Sequence, residues 1–321
     1  MFGLLKYFLY LLLVLLACLA IFIYLNQAPD KSVVELSQRW AQPPSQFVNI
    51  AGMNIHLRDE GSKSDLEPIV LIHGTSASLH TWDGWVDALK GQRRVIRFDL
   101  PGFGLTGPDP DNNYSIEHYA DVVAAVLDEL KIQKCVLAGN SLGGYVSWAT
   151  AVRYPQRVSK LVLVDSSGYP FEPESVPLAF KLSQNPLTSV LLKNVLPKSL
   201  VARSVKNVYG NPDLVSDELV DRYYELSLRQ GNRDALKARF KQTLPGLLVD
   251  KINTIDVPTL IIWGAKDKLI PPKNGTQFNH DIANSELVVF DELGHVPHEE
   301  DPQSTVLIVK QFLQEHKPDQ S

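Results

Sequence analysis

The sequence predicts an α/β protein: a mainly parallel β-sheet with helices on both faces and a helical insertion between two strands. Short, wholly apolar runs alternate with helical patterns along most of the chain, and such runs are typical of strands buried on both faces of a sheet. The alternation stops between residues 168 and 246, where no strand pattern occurs and seven prolines interrupt short helical stretches.

The predicted sheet begins with a hairpin of residues 47–51 and 54–58, joined by a tight turn at Gly52. Six apolar runs follow in chain order: residues 68–72, 94–98, 134–138, 160–164, 259–263 and 287–290. Three-and-four spacing of apolar residues predicts helices between them. The clearest are residues 116–130 with Ser115 as N-cap, 142–153, and 302–315.

The insertion is roughly eighty residues long, and a non-sheet segment of that length in a compact domain is commonly a functional lid. We therefore predict a core of residues 46–167 and 247–317, with residues 168–246 as a helical cap. Apolar side chains in the cap recur at helical spacing, which is more typical of packing than of a substrate wall. They are Leu178, Phe180, Leu187, Val190, Leu191 and Leu192.

The N-terminus predicts a membrane anchor. Residues 7–25 contain no charged or strongly polar side chain. As a helix they would rise roughly 28 Å, close to the hydrocarbon thickness of a bilayer. Tyr7, Tyr10 and Tyr24 lie toward the ends of the run, where amphipathic rings favour the membrane interface.

Two other N-terminal signals fit less well. A cleaved signal peptide has an apolar region of about 7–15 residues, whereas this run continues past Ala17 and Ala20. Residues 15–18 only loosely resemble a bacterial lipoprotein processing site. We therefore predict a single-pass anchor over residues 1–29 and a linker over residues 30–45. Likeness to signal anchors places the soluble domain on the extracytoplasmic side.

Composition narrows the classes of partner. Hydrophobic residues make up 45% of the chain and charged residues 21%, which fits a substantial buried core. The net charge is −5 and no basic run occurs, which argues against nucleic acid. Cys18 lies in the apolar N-terminal run and Cys135 in the soluble part, so we expect no internal disulfide and no zinc site.

One motif carries the chemistry: Gly-x-Ser-x-Gly over residues 139–143, between a predicted strand and a predicted helix. A sharp strand-to-helix turn strains Ser141 and exposes its hydroxyl at the sheet edge, and the flanking glycines let strand and helix approach. The helix N-terminus behind the serine offers free N–H groups to a developing negative charge. This context favours a nucleophile over an ordinary capping serine.

A serine hydroxyl is a weak nucleophile without a base. Of the eight histidines, His295 is best placed, because it follows the last predicted strand and Gly294. His298 is the alternative, and His73 belongs to a different loop. The others are expected at the surface or in helices: His56, His80, His118, His280 and His316.

The third member of a triad fixes the imidazole tautomer and stabilises its charged form. Asp267 lies directly beyond the strand of residues 259–263, at the carboxyl edge where sites form on parallel sheets. Asp165 also ends a strand and is the rival. Asp99 and Asp301 are more simply a turn residue and a helix cap.

Acyl transfer also needs N–H donors directed at the developing oxyanion. The residue after the nucleophile supplies one, the N–H of Leu142. The loop after the strand of residues 68–72 begins His73-Gly74-Thr75, and the Thr75 N–H is the expected second donor. A simple strand-ending turn is the alternative interpretation of that loop.

Taken together, these motifs resemble the α/β-hydrolase superfamily, in particular its capped esterase and lipase-like branch. The matching features run from about residue 47 to residue 314, and Ser141, Asp267 and His295 follow the superfamily's triad order. They are His73-Gly74, Asp99-x-Pro-Gly-x-Gly104, the residue 139–143 elbow, Trp263-Gly-x-x-Asp267, and Gly294-His295 followed by Glu300 and Pro302. The resemblance implies an eight-stranded, mostly parallel sheet, a helical cap, and no metal or organic cofactor.

Within the superfamily the branches differ at the elbow. Dehalogenases and epoxide hydrolases carry aspartate where this chain has Ser141. Enzymes that split carbon–carbon bonds of ring-cleavage products resemble it at Gly139-Asn140-Ser141, but their glycine-rich loop is replaced here by residues 75–79. The chain is also similar to membrane-anchored monoacylglycerol lipases, so a medium-to-long acyl ester is the expected substrate.

Three functions remain open from the sequence. The leading one is a carboxylic-ester hydrolase working through an acyl-enzyme intermediate. The second keeps the triad but cleaves a thioester, an amide or peptide, or a carbon–carbon bond, since the fold does not decide the bond. The third is a catalytically silent, membrane-tethered binding protein, which the retention of all three triad residues argues against.

Overall fold

A computed structural model describes residues 2–185, 188 and 194–316 of the chain. The cap predictions for Leu187, Val190, Leu191 and Leu192 lie outside these described residues. The described residues form an α/β fold with one mixed, mostly parallel sheet.

The strands and helices follow the sequence predictions closely. The strands are β1 Gln46–Ile50, β2 Met53–Glu60, β3 Ile69–Ile72, β4 Val95–Phe98, β5 Cys135–Asn140, β6 Val158–Val164, β7 Thr259–Gly264 and β8 Ser285–Phe290. The α-helices within the described residues are α1 Phe2–Leu25, α2 Val33–Trp40, α3 Asp83–Leu89, α4 Ile116–Glu129, α5 Leu142–Arg153, α6 Leu178–Gln184, α7 Lys198–Val208, α8 Asp217–Ser227, α9 Asn232–Gln242, α10 Lys273–Asp281, α11 Pro297–Glu300 and α12 Pro302–Glu315.

The eight strands are arranged in the order β1-β2-β4-β3-β5-β6-β7-β8. The β1–β2 hairpin and the β2–β4 pair are antiparallel, and the remaining pairs are parallel. The predicted eight-stranded, mostly parallel sheet is therefore confirmed. Its parallel strands end at one edge, so the loops that follow them meet there.

The central strands are buried on both faces. In β3 the side chains alternate, with Val70 and Ile72 in one hydrophobic cluster and Ile69 and Leu71 in the other. Helices α4 and α5 cover the first face, and α3 and α12 cover the second. This two-sided burial explains why the strands read as continuous apolar runs rather than as alternating ones.

Helix α1 is the apolar N-terminal run. Its segment Leu5–Leu25 has a mean hydropathy of 2.9 and is not buried against the rest of the protein. An isolated apolar helix of 21 residues is long enough to cross a bilayer. By length and composition alone, a signal sequence would meet the same criteria.

The segment after α1, residues 26–41, lies against the cap, and we call it the strap. The sequence predicts residues 26–29 as the end of the anchor and residues 30–45 as a linker. The structure instead has helix α2 in this segment and backbone hydrogen bonds from it to the insertion. Ala28 N donates to Asn194 O at 2.9 Å, and Leu196 N donates to Asn26 O at 3.1 Å. Near the end of the strap, the Trp40 indole N–H donates to Glu225 Oε2 at 2.7 Å.

The described part of residues 168–246 contains α6, α7, α8 and α9 and no strand of the sheet. Its cap helices have a small apolar cluster of their own, which includes Leu200, Val201 and Val205 of α7. The strap residue Ala28 and the core residue Val296 belong to the same cluster. The cap is thus packed both on the strap and on the loop of the sheet edge that contains His295.

Candidate active site

The carboxyl edge of the sheet brings the predicted site residues together. Ser141 follows β5, Asp165 follows β6, and Asp267 and His295 lie in the loops after β7 and β8. The strands β5, β6, β7 and β8 are neighbours in that order. All four side chains are buried, each with an exposed fraction of 8% or less.

Ser141 occupies a strained turn. Its backbone φ of 55° and ψ of −116° lie outside the regions that non-glycine residues favour. Hydrogen bonds hold the turn: Ser141 N donates to Val164 O at 3.0 Å, and Ser167 N donates to Ser141 O at 3.0 Å. A Cβ at Gly139 would lie 2.1 Å from Gly143 O, so no larger residue fits there. The strain is therefore imposed by the contacts on both sides of the turn.

His295 and Asp267 form a directly bonded pair. The distance between His295 Nδ1 and Asp267 Oδ2 is 2.7 Å. The other Asp267 oxygen accepts the backbone N–H of Leu269 at 2.8 Å and that of Ile270 at 3.0 Å. Because Nδ1 faces a carboxylate, the imidazole is held with its proton on Nδ1, which leaves Nε2 free to accept a proton.

Asp165, the rival acid, sits behind this pair. Its Oδ1 accepts the backbone N–H of Gly264 at 3.0 Å, and Oδ2 is buried without a hydrogen-bond partner among the described residues. Burial raises the pKa of Asp165 well above its usual value, and the neighbouring charge of Asp267 raises it further. Asp165 therefore holds its proton to a higher pH than an ordinary carboxyl group does, and the geometry pairs the histidine with Asp267 instead.

A metal does not fit this cluster well. Ligand atoms of Asp165, Asp267 and His295 lie within 4.8 Å of one another. However, one Asp267 oxygen accepts two backbone N–H groups, and the other faces the histidine. Hydrogen bonds thus already occupy both Asp267 oxygens, which leaves no open coordination sphere.

Three contacts fix the loop that contains His295. The side chain of Asn140, inside the elbow motif, donates through Nδ2 to His295 O at 2.9 Å. The backbone N–H of His295 donates to Val208 O at the end of cap helix α7, at 2.8 Å. Glu300 Oε2 accepts Gly294 N at 2.9 Å. Sequence reasoning missed Asn140 as a site residue, since its position in the motif is variable.

The predicted oxyanion loop lies beside the elbow. A Cβ at Gly74 would lie 3.2 Å from Ser141 Cβ and 2.9 Å from Asn140 Oδ1. Thr75 follows directly and lines the same cavity as Ser141. Leu142 begins helix α5 immediately after the serine. Both predicted N–H donors thus belong to backbone segments adjoining Ser141.

His73 connects this loop to the next one. Its Nε2 accepts the backbone N–H of Leu100 at 2.9 Å, so the proton lies on Nδ1, which donates to Gly74 O at 2.7 Å. Burial lowers the pKa of His73. The ring is therefore a neutral crosslink between loops, which no local sequence signal indicated.

His298, the alternative base, faces elsewhere. Its Nε2 lies 3.0 Å from Thr81 Oγ1, and its ring packs on Trp82 with centroids 4.0 Å apart. Burial lowers its pKa well below the usual value. These contacts give His298 a packing role in the core.

The expectation that His56 lies at the surface or in a helix is wrong, because its side chain is buried and it belongs to strand β2. His80 is also buried but lies in a short 3-10 helix, residues 79–82. His56 Nδ1 is 2.7 Å from Asp99 Oδ2. Asp99 Oδ1 accepts the Leu79 N–H at 2.8 Å. Although burial alone would raise the pKa of Asp99, His56 lowers it well below its usual range. The sequence predicts Asp99 as a turn residue. In the structure it also connects strand β2 to the loop that contains Leu79 through buried hydrogen bonds.

A cavity of about 420 Å³ lies between the sheet edge and the cap. The core contributes Ser141 and His295 to its wall. The cap supplies a mostly apolar surface, formed by Phe171, Val176, Phe180, Val201, Val205, Leu236, Phe240 and Leu244. Of the predicted apolar cap residues, Phe180 thus lines the cavity. A site of this kind receives a small, largely apolar molecule next to a polar reaction centre.

Comparison with known proteins identifies the family. Residues 67–302 match the α/β hydrolase fold family. A 2-hydroxy-6-oxo-2,4-heptadienoate hydrolase from Pseudomonas putida is 31% identical over 84% of this chain and 95% of its own length. A 2-hydroxymuconate semialdehyde hydrolase from a Pseudomonas species is 30% identical over 83% of this chain and 92% of its own.

Solved structures share the architecture. A meta-cleavage product hydrolase from Pseudomonas fluorescens superposes with a TM-score of 0.73 at 27% identity, covering 85% of this chain and 98% of that one. A membrane phospholipase A has a TM-score of 0.73 at 24% identity and covers 97% of this chain and 98% of its own. The second likeness is one of fold alone.

Proposed function

Because this chain belongs to the α/β-hydrolase family and is an enzyme of the hydrolase class, we propose that it cleaves a carboxylic ester by a Ser141–His295–Asp267 triad. One observation carries the proposal: the strained Ser141 lines the same cavity as His295, whose Nδ1 is 2.7 Å from Asp267 Oδ2. Strain at a buried serine has to be maintained by its surroundings, and it is typical of functional positions.

In the proposed mechanism Ser141 Oγ attacks the ester carbonyl while His295 Nε2 accepts the serine proton. Asp267 keeps the imidazole in the required tautomer and stabilises its charged form. The N–H groups of Leu142 and Thr75 bind the developing oxyanion. His295 then protonates the leaving alcohol, and a water molecule, deprotonated by the same imidazole, releases the acid from Ser141.

An apolar acyl group is the proposed occupant of the cavity, because most of the cap wall is hydrocarbon and aromatic. Helix α1 supports a lipid ester in particular. We propose that α1 is a single-pass anchor with the soluble domain on the extracytoplasmic side. The strap hydrogen bonds then hold residues 194–196, and with them the cavity-lining Leu196, next to the membrane surface.

Carbon–carbon bond hydrolysis of a ring-cleavage product is the second candidate. It is favoured by the names of the relatives that are 30–31% identical, both hydrolases of unsaturated oxo or aldehyde acids. The residue 75–79 loop and the extent of the apolar wall favour the ester. The triad would serve either reaction, so only substrates separate them.

A substrate panel tests the proposal on detergent-solubilised full-length protein. We expect turnover of p-nitrophenyl esters, with kcat/KM rising with acyl length, and at least about a hundredfold lower kcat/KM for a 2-hydroxy-6-oxo-dienoate. The matched control for assay conditions is Ser64→Ala, which alters an exposed serine and should leave turnover unchanged. Preferential hydrolysis of the dienoate would overturn the ester assignment in favour of the second candidate.

A further inference from the structure

The cavity wall includes a guanidinium, that of Arg239, for which no ion pair occurs among the described residues. Arg239 lies on cap helix α9 and lines the cavity together with Ser141 and His295. The residue is partly exposed, toward the cavity, while its guanidinium Nε is buried without a hydrogen-bond partner among the described residues. The ring centroid of Phe240 is 4.9 Å from Arg239 Cζ, and the guanidinium also interacts electrostatically with the phenol of the buried Tyr119 on helix α4.

Two other arginines of the cap have carboxylate partners, and Arg229 donates to the backbone carbonyls of Gln230 and Thr106. Arg222 pairs with Glu299, and Arg233 pairs with Asp30. No ion pair of Arg239 occurs within the part of the chain that the structure describes. The remaining cap residues, 186, 187 and 189–193, include no aspartate or glutamate in the sequence. Arg233, Asp234 and Lys237 line the same cavity, but no carboxylate of the described residues forms an ion pair with Arg239.

A guanidinium at an apolar wall without a partner is costly, because a charge that leaves water needs a counter-charge or hydrogen bonds. Burial lowers the pKa of Arg239 to about 10, so the group still carries its charge at neutral pH. Phe240, Leu236 and Phe180, which line the same cavity, have no polar side-chain atom that could accept a hydrogen bond from its N–H groups. The fold alone gains nothing evident from this charge.

We propose that Arg239 is a specificity-determining residue that binds an anionic group of the substrate, a phosphate or a carboxylate, at the cap side of the cavity. This inference rests on the proposed function and narrows it: the substrate is an ester with an apolar acyl chain and one negatively charged group. A planar guanidinium binds such groups through two parallel N–H···O bonds, and these charge-assisted bonds are among the stronger ones in proteins.

Ligand binding to the Ser141→Ala protein tests Arg239 without any turnover. Octyl phosphate, octanoate and octanol share a hydrocarbon tail and differ in charge, so calorimetric titration of all three separates phosphate, carboxylate and no anion. We expect one or both anions to bind at least about tenfold tighter than octanol. Adding Arg239→Met should reduce anion binding to the level of octanol, and Arg239→Lys should retain part of it.

The matched control is Lys241→Gln, which removes one positive charge from the exposed side of the same helix and should leave all three affinities unchanged. Because Met replaces an unpaired charge by an apolar group, we expect Arg239→Met to fold, and Arg239→Gln provides a second neutral variant. Octyl phosphate and octanoate binding no tighter than octanol, or equal losses for anions and octanol in Arg239→Met, would overturn the inference.

Steady-state kinetics of protein that retains Ser141 provides the second test. The kcat/KM of Arg239→Met should fall roughly 10- to 100-fold for a 1-acylglycerol 3-phosphate or an O-acylglycolate, and less than about twofold for the neutral 1-acylglycerol. Equal losses for charged and neutral esters would contradict the inference while leaving the triad intact. Anion binding that depends on Arg239 in a protein without ester turnover would instead refute the proposed function and support the binding site.

Discussion

The core edge and the cap face each other across one cavity, and they are built in opposite ways. At the core edge, hydrogen bonds fix the groups around the histidine: Asp267 bonds His295 and two backbone N–H groups, and Asn140 bonds the His295 carbonyl. The cap wall is mostly apolar and contains the unpaired Arg239. The contrast indicates that the core determines the reaction, whereas the cap determines which molecule undergoes it.

The two regions are also connected. Cap residue Arg222 forms an ion pair with Glu299 of core helix α11, and the hydroxyls of Tyr209 and Tyr223 donate to Glu299 Oε2 at 3.1 and 2.9 Å. The Val208 carbonyl of the cap accepts the backbone N–H of His295. A change in cap position would therefore displace the imidazole loop, so the substrate wall and the base are mechanically coupled.

The largest expected effect lies in the core. Asp267→Asn should lower kcat/KM for the preferred ester by roughly 10³- to 10⁴-fold, because the amide no longer holds the proton on His295 Nδ1 and no longer stabilises the imidazolium. Steady-state kinetics measures the loss. Asp165→Asn is the matched control at the adjacent strand end, and a loss of less than about tenfold is expected there. Similar losses in both variants would mean that the two acids act as one unit.

The connection between core and cap gives the next largest effect. Glu299→Gln should lower the free energy of unfolding by about 3 kcal/mol, because Arg222 is then left buried without its counter-charge. Urea denaturation followed by tryptophan fluorescence measures it. Glu292→Gln, which breaks the exposed pair with Lys266, should cost less than about 1 kcal/mol. Equal stabilities of the two variants would show that the cap is held by its apolar contacts alone.

The smallest effect is a dependence of stability on pH. The folded-state pKa of Asp165 is raised above its unfolded value by burial and by Asp267. A raised carboxyl pKa means that the folded state retains a proton which the unfolded state has lost. Stability attributable to this group therefore falls as the pH rises from the unfolded pKa toward the folded one.

Asp165→Asn removes that dependence, because the neutral amide can still accept the Gly264 N–H and donate to Asp267. Asp267, His295 and Glu300 surround the position and remain unchanged in the variant. We expect a higher melting temperature for the variant at pH 8 than for the wild type, with the difference shrinking toward pH 4. A constant difference across that range would contradict the raised pKa.

The sheet and the strand-to-helix elbow at Ser141 were predictable because their patterns are local. Buried parallel strands give apolar runs, and a Gly-x-Ser-x-Gly turn between strand and helix needs its glycines for close approach. The roles of Asn140 and Asp99 were not predictable. Their partners, His295 and His56, lie 155 and 43 residues away along the chain, and no short motif encodes such contacts.

The contacts of the strap and of Arg239 in the cap were likewise not predictable from local sequence patterns. Pro29, Pro43 and Pro44 lie in or beside this part of the chain, and its apolar patterning is weak. The sequence therefore predicts a linker over residues 30–45. Their order comes from hydrogen bonds to Asn194, Leu196 and Leu228, which only the folded cap presents. Likewise, an arginine on an amphipathic helix is normally solvated, and only the folded chain shows that Arg239 faces the cavity.

The most direct test of the triad is labelling with a fluorophosphonate probe, followed by mass spectrometry of the modified peptide. Detergent-solubilised wild type should take up one probe molecule on Ser141, and Ser141→Ala should take up none. Arg239→Met should still be labelled, because the probe needs only the core chemistry. Folded wild type that resists the probe, or an adduct on any other serine, would contradict the assignment of Ser141 as the nucleophile.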